Sequence, residues 1–113
     1  MCSSDLPLGN SYYVTAGTTA ANIAIGPNIS NTFRITNIGT SAVYVAVYNN
    51  AAQAAAFAKP GAGNPIVPGA VAINAGWPEN VAGNFGAQNT NTIYICYASD
   101  GNSNALVITP VLD

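Results

Sequence analysis

The segment Thr32-Phe33-Arg34-Ile35-Thr36-Asn37-Ile38-Gly39-Thr40-Ser41-Ala42-Val43-Tyr44-Val45-Ala46-Val47-Tyr48 decides the fold. Its apolar residues recur every second position on both sides of a polar centre. Phe33 and Ile35 share one face, with Arg34 and Thr36 on the other. Val43, Val45 and Val47 oppose Tyr44, Ala46 and Tyr48. Period two with β-branched and aromatic residues reads as strand. Asn37-Ile38-Gly39-Thr40-Ser41 reads as a turn, because Gly39 tolerates positive φ and Asn favours local bonds to its own backbone. Thr32–Asn37 and Ala42–Tyr48 are therefore expected to form a hairpin.

The same grammar runs outward in both directions. Ser11–Ala16 and Asn22–Ile25 read as short strands, separated by Gly17-Thr18-Thr19. Pro65–Val67 and Ala70–Asn74 flank the Pro68-Gly69 turn. Asn91–Ala98 is a strong strand, Asp100-Gly101 a turn pair, and Ala105–Thr109 the last strand, with Pro110 marking its end or an edge. Gly76–Gln88 reads as a long loop. Ala51–Ala58 has high helix propensity with Asn49 or Asn50 as cap, yet is short, so a helical turn and an extended segment remain equal alternatives. Seven or eight short strands imply an all-β antiparallel β-sandwich, Ig-like or jelly-roll-like.

Composition narrows the function. The chain has 113 residues, with two Lys and Arg, four Asp and Glu and no His. The charged fraction is 5%, against roughly 25% in ordinary soluble proteins. Arg34 and Lys59 alone cannot neutralise a phosphate backbone, so no nucleic-acid partner is expected. His-based or carboxylate metal sites lack ligands. No apolar run approaches the roughly 18 residues of a membrane span, so no membrane partner is expected either.

Met1-Cys2-Ser3-Ser4-Asp5-Leu6 fits nothing that follows. The end of a common short-read adapter, GTG TGC TCT TCC GAT CT, translates from a GTG start into these six residues. Residues 1–6 are read as an adapter scar in assembled environmental DNA, and residues 7–113 as one β-sandwich domain. Cys96 then stands alone, and no disulfide follows.

No catalytic constellation emerges. The commonest general base is absent. Glu79 and Asp100 sit in turn-like settings rather than as a glycosidase pair. Cys96 lies inside an apolar strand without a His partner. No phosphate-cradling glycine run exists. The chain is expected to be non-enzymatic, with no cofactor and no metal.

Binding candidates are therefore aromatic. Trp77, between Gly76 and Pro78, is either an exposed platform for a sugar or a protein, or a cap on the core. Tyr13, Tyr44 and Tyr48 are candidates for a neutral tyrosine-rich surface. Arg34 either pins a partner's carboxylate or pairs at the rim with Glu79 or Asp100. A surface so poor in charge gains little colloidal repulsion and suits a subunit held in an assembly. A homo-oligomer is expected, a trimer being favoured.

Three motifs carry a resemblance. The first is Arg34-Ile35-Thr36-Asn37-Ile38-Gly39-Thr40-Ser41-Ala42-Val43-Tyr44-Val45, followed by the Ala-rich stretch. The second is the Pro68-Gly69 turn. The third is Ile93-Tyr94-Ile95-Cys96-Tyr97-Ala98-Ser99-Asp100-Gly101, closing with Leu106-Val107-Ile108-Thr109-Pro110. Together they resemble a group of small phage and prophage structural proteins over most of residues 7–113. The group often ends Thr-Pro-Gly-Glu-Gly, whereas this chain ends Thr109-Pro110-Val111-Leu112-Asp113. The resemblance implies a β-sandwich located in the virion, contacting capsid or tail proteins as a capsid decoration, cement or head accessory protein. A carbohydrate-binding module using Trp77 and outward tyrosines is the alternative.

Overall fold

A computed structural model describes residues 11–25, 32–59, 71–82 and 92–111. The elements are β1 (Tyr12–Ala16), β2 (Ala21–Ile25), β3 (Thr32–Asn37), β4 (Val43–Tyr48), α1 (Ala51–Ala56), β5 (Val71–Ile73), β6 (Pro78–Ala82), β7 (Ile93–Ser99) and β8 (Asn104–Val111). They form two four-stranded antiparallel sheets, ordered β1-β8-β3-β6 and β2-β7-β4-β5. The all-β sandwich is as expected. Pairing of first with last, second with seventh, third with sixth and fourth with fifth is the winding of a jelly roll.

The expected hairpin is not formed. β3 and β4 lie in different sheets, and residues 38–42 carry the chain across the sandwich. Burial explains the choice. In a single sheet, the Phe33–Ile35 and Val43–Val45–Val47 rows would stand side by side on one face. In opposite sheets they face each other, and all five enter one core with Ile25, Ile73, Ile93, Ile95, Leu106 and Ile108. Turn chemistry reverses the chain but leaves open which strand it pairs with. The Asp100-Gly101 turn behaves alike, joining β7 to β8 across the layers.

The long loop expected at Gly76–Gln88 contains a strand instead. β6 pairs with β3, placing Val81 opposite Phe33 and Glu79 opposite Ile35. Only Val81 of its five residues is buried, so period two is invisible in the sequence of this edge strand.

Pro110 lies inside β8, opposite Phe33. Ile38 N–H donates to the Ala105 carbonyl at 3.1 Å. Alternation along the ladder then turns odd-numbered β8 residues towards β3 and even-numbered ones towards β1. The ring nitrogen of Pro110 points to the β1 side, beyond Tyr12, which pairs with Ile108. The missing N–H therefore costs β3–β8 no hydrogen bond.

Residues 51–56 settle as helix. Asn50 Oδ1 accepts from Ala52 N–H at 2.9 Å and Gln53 N–H at 3.1 Å, satisfying two of the donors a helix start leaves free. Ala54 and Phe57 pack on Ala46, Cys96 and Ala98, the outer face of the second sheet. Those small side chains let the short helix approach the sheet. This tertiary contact supplies the support that a six-residue helix lacks alone. The 65–67 strand and the Pro68-Gly69 turn lie outside the described residues.

Candidate functional site

One end of the sandwich is cross-braced by a buried polar network. Asn37 is fully buried at the end of β3. Its Nδ2 donates to the Ser41 carbonyl at 2.8 Å and the Ile73 carbonyl at 2.9 Å. Its Oδ1 accepts from Gly39 N–H at 3.1 Å and from Asn104 Nδ2 at 2.7 Å. Asn104 Oδ1 in turn accepts from Ser41 N–H at 2.8 Å. Ser99 Oγ donates to the Ala42 carbonyl at 3.2 Å and accepts from Gly101 N–H at 3.1 Å. Among the described residues no buried side-chain polar atom lacks a partner. A fully satisfied network of this kind rigidifies its surroundings. Asn37 reads in the sequence as a turn former, and Asn104 carries no reading there. The Asn-x-Gly spacing at Asn37-Ile38-Gly39 was the one available signal.

The backbone of the next loop is locked to the same residue. Trp77 N–H donates to the Asn74 carbonyl at 3.1 Å, closing a turn with Gly76 in its third position at φ +80°. That positive φ is what a type II turn requires. Asn37 N–H then donates to the Trp77 carbonyl at 3.0 Å, and Gly76 N–H to the Asn37 carbonyl at 2.8 Å. Two residues thus oppose one, a β-bulge led by glycine. The bulge leaves Trp77 62% exposed, and Ile38, which follows its partner Asn37, is 50% exposed. Trp77 is therefore exposed rather than a cap on the core.

Arg34 points outward from β3 and is exposed, opposite Asn80 on β6. With Pro78, Glu79 and Asn80 it lines an open cleft of about 440 Å³. The rim pairing expected for Arg34 is absent: among the described residues the ion pair of Asp100 is with Lys59, at 3.3 Å. Trp77 and Arg34 thus lie along one β3–β6 corner, joined by the Pro78-Glu79-Asn80 stretch.

The tyrosines divide. Tyr13 is 68% exposed on β1. Tyr44 and Tyr48 are only partly exposed. Tyr44 OH donates to Asp100 Oδ2 at 3.1 Å, and this bond, with burial and the Asp100 charge, raises its pKa. Tyr48 packs against the α1 cluster, and burial raises its pKa as well.

The residues weighed for chemistry in the sequence take the following places. Glu79 stands on β6, while Asp100 follows β7 and is engaged by Lys59 and Tyr44. Cys96 is fully buried under α1, its Sγ 3.7 Å from the Ala54 carbonyl. Burial pushes its thiol up to about 11, which keeps it protonated and unreactive at neutral pH. Among the described residues no cluster of three His, Cys, Asp or Glu exists, and no helix is long and apolar enough to cross a membrane. Comparison with protein-family models, curated proteins and solved structures finds no match.

Proposed function

We propose that this chain is a non-enzymatic structural protein of a phage virion, bound to the capsid as a decoration, cement or head accessory protein. The carrying observation is the exposure of Trp77 and Ile38 on either side of Asn37, at a braced end of a nearly chargeless sandwich. Rigid exposed aromatics anchor protein contacts at low entropic cost. Contacts between neutral surfaces are also insensitive to salt. Jelly rolls serve as capsid domains, although fold alone does not determine function. Cosedimentation of the purified chain with phage capsid shells tests the reading. Binding is expected to persist at about 1 M salt, where charges are screened within about 3 Å, and to be lost in Trp77→Ala. A chain that ignores capsid shells overturns it.

One observation favours a second reading, a carbohydrate-binding module. The Arg34–Pro78–Glu79–Asn80 cleft directly follows Trp77 in the fold. An indole stacks on a sugar ring, while guanidinium, carboxylate and amide groups bond its hydroxyls. Jelly rolls also serve as lectin domains. A glycan panel decides: binding that disappears in both Trp77→Ala and Arg34→Ala supports it, and a blank panel ends it.

A further inference from the structure

The two lateral sides of the sandwich are built differently. One side is edged by β5 and β6. β5 has three residues. β6 opens at Pro78, follows the bulge at Gly76 and Trp77, and carries the exposed Glu79 opposite Ile35. Proline, a bulge and a charged side chain are devices that stop an edge from recruiting another strand. The other side is edged by β1 and β2, five residues each, reading YYVTA and ANIAI. Neither strand contains a charge, a proline or a glycine.

The hydrogen-bond alternation shows what β1 offers. Even-numbered β8 residues face β1, so Tyr12, Val14 and Ala16 bond Ile108, Leu106 and Asn104. The N–H and C=O groups of Tyr13 and Thr15 point to the edge that no described strand covers. Both residues are exposed.

We propose that β1 pairs antiparallel with β1 of a second copy, across a two-fold axis at Val14. In that register Tyr13 of each copy faces Thr15 of the other, and each pair closes two backbone hydrogen bonds. Tyr opposite Thr is an aromatic–β-branched pair, favourable across strands. The two Val14 side chains meet on the core-facing side, where Val14 already closes the core. A second copy is the fitting occupant because YYVTA matches itself under two-fold symmetry and brings no like charges together. β2 is the poorer edge, since alanine and asparagine pair weakly in strands. The proposal rests on the self-association expected above and is independent of the virion reading. It replaces a three-fold contact with a two-fold one.

Sedimentation velocity over a concentration series up to about 1 mM, suited to a small interface, is the test. The wild-type chain is expected to show a monomer–dimer equilibrium. Tyr13→Lys with Thr15→Lys sets Lys against Lys twice across the axis and is expected to weaken the dimer about tenfold. Tyr13→Lys with Thr15→Glu sets Lys against Glu twice and is expected to restore it. Net charge works the other way: the double-Lys chain goes from −2 to −2 + 2 = 0, which lowers general repulsion. Circular dichroism confirms that both variants, altered only at exposed side chains, remain folded. A monomer at every concentration overturns both self-association and the β1 contact. A dimer untouched by the double-Lys variant, or not restored by Lys with Glu, overturns β1 pairing while leaving self-association standing.

Discussion

Replacing Asn37 by Ala tests whether the buried bracket holds the braced end. The side chain makes four hydrogen bonds. Those to the Ser41 carbonyl and the Gly39 N–H are partly buried, so water can replace them. Those to the Ile73 carbonyl and Asn104 Nδ2 are buried. A buried polar group left unpaired costs about 1–3 kcal/mol. Two such groups, with a smaller share from the wetter pair, give an expected loss of about 3–5 kcal/mol. That is a large part of the roughly 5–15 kcal/mol that holds a domain together. Urea unfolding of Asn37→Ala should show a lower midpoint at unchanged slope. Combined with Asn104→Ala, the losses should fall short of additive, because the first substitution already orphans the second residue. A loss below about 1 kcal/mol, or strict additivity, would refute the bracket.

Three further outcomes follow from neighbouring geometry. Gly39→Ala places a Cβ on the Asn104 carboxamide and should cost more than Gly76→Ala. The latter meets open space and bears only about 1–2 kcal/mol of left-handed strain; calorimetric midpoints rank the two. Asn50→Ala removes both cap bonds of α1 and should cost about 1 kcal/mol, seen as faster amide exchange in residues 51–56. Stability should fall in alkali. The Cys96 thiol goes from 9.0 to about 11 on burial, so the folded state holds its proton more tightly. That contribution is complete below pH about 9 and is lost as pH rises through about 11. Two units correspond to about 2–3 kcal/mol, and Cys96→Ala should make the fall across that window shallower, leaving the part due to the raised Tyr44 and Tyr48.

The strands themselves were legible because each buried row alternates: Phe33 and Ile35, Val43 to Val47, Ile93 to Tyr97. Their partnership was not. Asn37-Ile38-Gly39 and Asp100-Gly101 carry strong turn chemistry, and such residues serve a sheet-crossing connection as well as a hairpin. Only the need to bury two apolar faces against each other separates the two outcomes, and that is a property of the whole chain. β6 was missed since four of its five residues face solvent. At the candidate site, Trp77 and Arg34 were visible as residue types, but their shared corner depends on the β3–β6 register. The Asn37–Asn104 bond joins residues 67 positions apart, which no local window contains.

That register also changes the meaning of the low charge. Arg34 and Glu79 stand on the β3–β6 corner, and Lys59 meets Asp100 beside Tyr44. None of these four charged residues lies on β1 or β2. Among the described residues, Glu79 is the charge that an edge strand carries, and it stands with Pro78 and the Gly76 bulge on β6. The opposite described edge keeps neutral side chains and outward backbone groups. The asymmetry fits a chain that associates along a chosen edge.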